Sequence, residues 1–329
     1  MKKLTLLACA ASLAAYPLSA QQEMKVFPAP GEIVAGAKAE EWVAIAPSDL
    51  LVMDLAPDAK AKPRRVVIQL MRAPFSQGWI GNIRTLAAAK WWDGTSINRV
   101  QDNYVVQWGD ATEKKALPDD LAVVPESEYV SPSVAASFLE ETMDKAMRNG
   151  SPQADDAASK VPAWLKMEDA YASSGAFLAG WPIAIGGMEQ GNAWPVHCYA
   201  TVGVGRNLSP DTGTGAELYT VIGHAPRHLD RNIALVGRVI EGIEHLSSLP
   251  RGTGALGFYE KEEERVPILS VRLGHEAKDV AAFEYLNTER ESFARYVDAR
   301  ANRRDPFFIK PAGGADICNI PVPVRRRAK

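Results

Sequence analysis

The chain has 329 residues, 47% of them hydrophobic and 23% charged, with 37 basic against 40 acidic side chains and a formal net charge of −3. That balance excludes wholesale disorder and a coiled-coil rod, and it supplies no global field to draw nucleic acid or an anionic membrane. The length suits one large domain or two smaller ones.

Residues 1–20 read as a secretory signal peptide. Lys2 and Lys3 precede an apolar stretch, Leu4 to Ala15, and Leu18-Ser19-Ala20 offers small residues before Gln21. Cys9 in Leu6-Leu7-Ala8-Cys9 loosely matches a lipobox but leaves almost no apolar core before it. No later apolar run reaches the roughly 18 residues a membrane span needs, so no stable membrane insertion is expected. After cleavage Cys198 and Cys318 remain. In an oxidising compartment they either form one disulfide, tying the C-terminal tail to the body, or stay as two separate thiols.

Residues 21–48 carry little pattern. Leu50 to Leu55 and Arg65 to Leu70 read as two strands across a polar, proline-containing turn, hence a hairpin. Ser76 is a candidate N-cap for a helix carrying Trp79, Ile80, Ile83, Leu86 and Ala87 on one side. Asp93-Gly94 marks a turn into two short strands, Ser96 to Val100 and Tyr104 to Trp108. Residues 111–195 break the rhythm with prolines at 118, 125, 132, 152 and 162, among others, and one good helix, Val134 to Met147. This 85-residue stretch reads as an insertion, partly helical and partly loop, without strand alternation. Strands resume at His197 to Val202, Glu217 to Ile222, Ile233 to Ile240 and Val266 to Leu273. Val280, Phe283, Leu286, Phe293 and Val297 recur at helical spacing, predicting an amphipathic helix over 278–302 before a basic tail. Many short strands and few helices indicate a mainly β barrel or sandwich.

Several short signatures fail on context. Asp211-Thr212-Gly213 occurs once and follows a turn, so it reads as a plain loop. Gly203-Val204-Gly205 lacks both a third glycine and a βαβ unit. His224 and His228 stand four apart, but Pro226 between them disfavours the helix that would present both to a metal. No Gly-x-Ser-x-Gly elbow exists, and residues 260–266 read as a solvated turn.

One constellation carries more. Residues Trp92 to Asp110 resemble the cyclophilin core signature, with Gly94, Arg99, Gln107, Gly109 and Asp110 in ungapped register. Val66 to Leu70, Ala73-Pro74, Asn82 and Leu86-Ala87 resemble that family's strand, break and first helix. Gly215 to Tyr219, His228-Leu229-Asp230, Leu235 to Val239 and Glu241-Gly242 resemble its later motifs. The resemblance spans residues 49–110 and 196–274. It implies an eight-stranded antiparallel barrel with two capping helices over residues 21–275, interrupted by the 111–195 insertion and followed by a C-terminal unit, 276–329.

The implied activity is peptidyl-prolyl cis–trans isomerisation, which needs neither metal nor cofactor and acts on proline-containing polypeptides. The implied catalytic residues are Arg99, whose guanidinium donates to the prolyl nitrogen as the amide twists, and Gln107, which orients it or the substrate carbonyl. Tyr104, Val105, Tyr219 and Leu229 take the positions of an apolar proline pocket, with Val202, Gly203, Glu217 and His228 completing the substrate-binding set. This chain departs from the family at Asn98 (for histidine), Trp108 (for glycine), Gly203 (for asparagine), Glu217 (for glutamine), His228 (for tryptophan) and Ile233 (for histidine). The change at His228 implies poor affinity for the family's cyclosporin ligand. The expected protein is an exported, periplasmic, monomeric isomerase acting on unfolded or newly translocated chains. Its competitor is a cyclophilin-fold chaperone or peptide-binding module with little isomerase activity; a metal hydrolase built on His224 and His228 is a poorer third reading.

Overall fold

The computed structural model describes residues 27–137, 167–187 and 191–327. The expected signal peptide and residues 138–147 of the expected Val134–Met147 helix lie outside them; residues 132–137 are helical. The strands in chain order are β1 (Trp42–Ile45), β2 (Leu50–Leu55), β3 (Arg64–Leu70), β4 (Ser96–Val100), β5 (Val105–Gly109), β6 (Met167–Asp169), β7 (Ala172–Leu178) and β8 (Trp181–Ile185). They continue as β9 (Ala193–Pro195), β10 (Thr201–Val204), β11 (Leu218–Val221), β12 (Leu235–Glu241), β13 (Val266–Leu273), β14 (Phe283–Leu286) and β15 (Val324–Arg326). The helices are α1 (Pro30–Ala35), α2 (Gln77–Ala88), α3 (Glu244–Ser247) and α4 (Glu291–Ala301).

Eight strands close into an antiparallel barrel in the order β10-β11-β5-β4-β13-β2-β3-β12, the architecture expected from the sequence. Alternation fills its interior. Leu51, Met53 and Leu55 of β2 meet Val66, Ile68 and Leu70 of β3 inside, and α2 adds Trp79, Ile83 and Leu86. Ser76 occupies the N-cap position of α2 without capping it; its Oγ donates to the Leu235 carbonyl at 2.8 Å and ties the helix start to β12. Asn82 exchanges two hydrogen bonds with the backbone of Ala122, at 2.9 and 2.8 Å. That pair fixes the first stretch of the insertion against the barrel.

A second core lies outside the barrel, beyond what the sequence indicated. Leu50 and Val67 are buried on the barrel's outer face, against Ile33 of α1, Trp42 of β1, Phe177 of β7, Trp194 of β9 and Phe293 of α4. The hairpin β2–β3 is therefore covered on both faces, which explains its continuous apolar run. Two corrections follow. The insertion is not free of strands: β6-β7-β8-β9 form a four-stranded sheet, whose alternation is masked because Ala193, Trp194 and Pro195 are all buried. The 278–302 segment is not one helix, because Phe283–Leu286 is a strand between β1 and β15 and helix α4 starts at Glu291. The basic tail packs back on the body: Arg325 pairs with Glu284 at 2.7 Å and lies over the Trp42 ring, and Arg326 reaches Glu241. Residues 21–48 likewise contribute α1 and β1.

Cys198 and Cys318 are disulfide-bonded with α-carbons 5.1 Å apart, closing a separation of 120 residues. A cross-link over so long a loop restricts the unfolded chain by about 4–5 kcal/mol in the chain-entropy model. Replacing Cys318 by serine should therefore lower unfolding stability by up to about that amount, read by urea titration with and without reductant. Equal midpoints for the variant and the oxidised wild type would contradict it.

Candidate active site

The barrel wall brings the implied residues together through strand register. Residues opposite one another on antiparallel neighbours share a face. One row runs Phe258, Arg99, Gln107, Tyr219, Gly203: Arg99 bridges Phe258 and pairs with Gln107, Gln107 with Tyr219, and Tyr219 with Gly203. A register shift between Ile97 and Arg99 makes Asn98 an extra residue on β4. Such a bulge re-aims side chains. Here Ile97 stays in the core while Asn98 and Arg99 both line the outer cleft.

The cleft has a volume of about 700 Å³. Its centre is the half-buried Arg99 guanidinium. Nε donates to the Leu256 carbonyl at 2.8 Å, one terminal nitrogen donates to Gln107 Oε1 at 3.2 Å, and the other donates to Gln101 Oε1. Leu256 itself sits at φ 56°, a left-handed conformation costly for leucine, which turns its carbonyl to the arginine. The guanidinium carbon is 5.3 Å from the Phe258 ring centre and 5.7 Å from that of Tyr104. Burial pulls the Arg99 pKa below its ordinary value, with Tyr104 opposing; an arginine so shifted remains a cation.

Beside it lies an apolar patch of Val105, Tyr219 and Val221, flanked by Tyr104, Leu229 and Ile233. Tyr219 covers Gly203: a Cβ there would come within 2.4 Å of the phenol ring, so glycine is what lets the ring lie flat on β10. The Tyr219 hydroxyl points away from the cleft to His197 Nε2 at 3.0 Å, and His197 Nδ1 meets Asp230 Oδ1 at 2.9 Å. An ionised Asp230 accepts only, so His197 Nδ1 is the donor in that pair. Asp230 Oδ2 accepts from Arg227 Nε at 2.7 Å, and Arg227 reaches Asp169 on β6 at 2.7 Å. This buried chain links the back of the apolar patch to the insertion. Burial alone would raise the Asp230 pKa, but the His197 hydrogen bond and the charges of His197 and Arg227 hold it below the ordinary value.

Arg99, Gln107, Tyr104, Val105, Glu217, Tyr219 and Leu229 thus share one cleft. Val202 does not join it. Its side chain is packed in the barrel core, because alternation turns residues 202 and 204 inward and 203 outward. His228 is exposed at the rim, stacked 6.4 Å from the Tyr104 ring. Asp110, part of the recognisable motif, folds the following turn by accepting the N–H groups of Thr112, Lys114 and Lys115. Asp211 does the same for Asn207 and Gly213. Sequence reasoning missed Phe258 and Leu256, which reach Arg99 from about 160 positions away, and gave His197 and Asp230 no role together. No local pattern announces such contacts.

A family model described as cyclophilin type peptidyl-prolyl cis-trans isomerase/CLD matches residues 65–273. Among solved structures, the crystal structure of cyclophilin AquaCyp293 from Hirschia baltica is similar at 19% identity with a TM-score of 0.60, covering 92% of this chain and 100% of that one. At that identity the likeness concerns the fold. A Cryptosporidium parvum cyclophilin type peptidyl-prolyl cis-trans isomerase, crystallised in the presence of the dipeptide Ala-Pro, aligns at 9% identity and a TM-score of 0.38 over 68% of this chain and 98% of that one. No curated protein sequence matches the chain.

Proposed function

The chain belongs to the cyclophilin-type peptidyl-prolyl cis–trans isomerase family, and from that premise we propose that it accelerates rotation about Xaa-Pro bonds in exported polypeptides, with Arg99 as donor to the prolyl nitrogen. Amide resonance sets a barrier of about 18–20 kcal/mol. As the bond twists, the nitrogen lone pair leaves conjugation and becomes an acceptor. A donor fixed at that point binds the twisted state better than either planar one, which is the condition for catalysis.

The observation that carries this reading is the held guanidinium. A guanidinium has five N–H donors; three are engaged by Leu256, Gln107 and Gln101. Its plane is fixed while donors remain for a substrate. The proline ring would rest on Val105, Tyr219 and Leu229, beside the cation. Gln107, oriented by Arg99, keeps that arrangement in place.

The export reading is supported by the leader-like residues 1–20 and by the Cys198–Cys318 disulfide, a cross-link that persists in oxidising compartments such as the periplasm. Clients would be unfolded or newly translocated chains. Refolding of a protein limited by a slow proline phase tests the proposal, because that phase takes about 10–100 s uncatalysed. Catalytic amounts of this protein should shorten it. An unchanged slow phase, with aggregation nevertheless suppressed, would favour the peptide-binding module.

A further inference from the structure

Glu217 is placed where a carboxylate is costly. It lies over Gly109, where a Cβ would come within 1.8 Å of Oε1, so glycine at that position is what admits the carboxylate between β5 and β11. The groups that favour its ionised form are the side chains of Gln107 and Asn98 and the backbone N–H of Asp110, all neutral. Gln107 Oε1 already accepts from Arg99, so the amide N–H of Gln107 is the end turned to Glu217. The one charge among the main influences on Glu217 is another carboxylate, Asp110. Burial pushes its pKa up, against those three neutral groups.

Asn98 supplies the second observation. It is 6% exposed, and its Oδ1 has no hydrogen-bond partner among the described residues. With Nδ2 turned to Glu217, that oxygen is a buried acceptor left open. A carboxylate offers about four acceptor positions, more than the three neutral groups that act on it. Both side chains line the cleft that holds Arg99. The acceptors at this corner are incompletely met and no cation is among the main influences on Glu217, although Arg99, Lys115, Arg206 and Arg265 line the same cleft. A ligand group that carries several N–H donors and a cation corrects both deficits at once.

We propose that Glu217 and Asn98 form a subsite for a cationic side chain, lysine or arginine, of the polypeptide whose proline occupies the neighbouring apolar patch. The inference rests on the isomerase cleft described above and names the substrates it prefers. The ammonium or guanidinium donates to the remaining Glu217 lone pair and to Asn98 Oδ1, and the buried carboxylate gains its counter-charge. Neutral or acidic segments leave both acceptors unmet.

The test uses Xaa-Pro peptides in which lysine is moved through the three positions preceding the proline, each paired with a norleucine twin that keeps the stem and removes the charge. NMR titration gives Kd for each twin, and cis–trans exchange is read on the same samples, for wild type and Glu217→Gln. The expected result is a lysine position bound about tenfold tighter than its twin, an advantage lost in Glu217→Gln. Glutamine is nearly isosteric, and unfolding curves verify that the variant is folded. Accelerated exchange with equal affinity for every pair overturns the subsite alone. An advantage that survives in Glu217→Gln also overturns it. Peptides that neither bind nor exchange faster overturn the cleft reading and the subsite with it.

Discussion

Replacing Arg99 by alanine is expected to lower kcat for Xaa-Pro exchange by about 10²–10³-fold, the scale seen when one fixed donor to a developing acceptor is removed. The effect should fall on kcat more than on peptide affinity. The apolar patch of Val105, Tyr219 and Leu229 is built without the arginine, and the donor matters most when the amide is twisted. The fold should survive, since Arg99 is on the barrel's outer face and its three protein contacts are with the exposed turn at Leu256 and with Gln101 and Gln107. Thermal unfolding and peptide titration by NMR, run beside the exchange measurement, separate these quantities. A variant that keeps wild-type kcat would remove Arg99 from the chemistry.

The second large effect concerns stability. Asp230 is 4% exposed and holds two partners at once, His197 and Arg227. Truncating one member of a buried charge network leaves the others uncompensated, at about 3–5 kcal/mol. Asp230→Ala should therefore unfold at lower urea by that margin. It should also loosen Tyr219, whose hydroxyl is held by the same histidine. The pH dependence has a definite sign. The folded Asp230 pKa is below the ordinary 3.8, so its stabilisation is complete above that value and is lost as pH falls through the lower folded value. Wild type should show this acid limb below about pH 4, and the variant should show it weakened. Identical acid limbs would take Asp230 out of the stability of the barrel.

The barrel and the catalytic candidates were legible in the sequence because both depend on local spacing. Leu50–Leu55 and Val266–Leu273 are strands with the bounds read from their apolar runs. Arg99 and Gln107 fall in one uninterrupted motif, which β4 and β5 place face to face. The second core was hidden because its parts come from three distant stretches of chain. Phe283 and Leu286 stand three apart, as on a helix, yet β14 is buried on both faces, so spacing could not distinguish strand from helix. Pro182 and Pro195 stand inside β8 and β9, and proline is uncommon within strands. His197, Tyr219 and Asp230 are separated by 22 and 33 positions, and no periodicity links them. Asn98 and Glu217 were visible as departures from a family pattern; only the fold shows that they meet.

The most direct measurement is NMR exchange between the cis and trans forms of an Xaa-Pro peptide in the presence of substoichiometric protein. Uncatalysed exchange takes tens to hundreds of seconds, roughly. With the Arg99 guanidinium fixed beside an apolar proline site, exchange must become fast enough to broaden or cross-link the two proline signals while their equilibrium ratio stays unchanged. Signals that shift on binding but exchange at the uncatalysed rate would show a recognition module on a cyclophilin barrel, and would contradict an isomerase centred on Arg99.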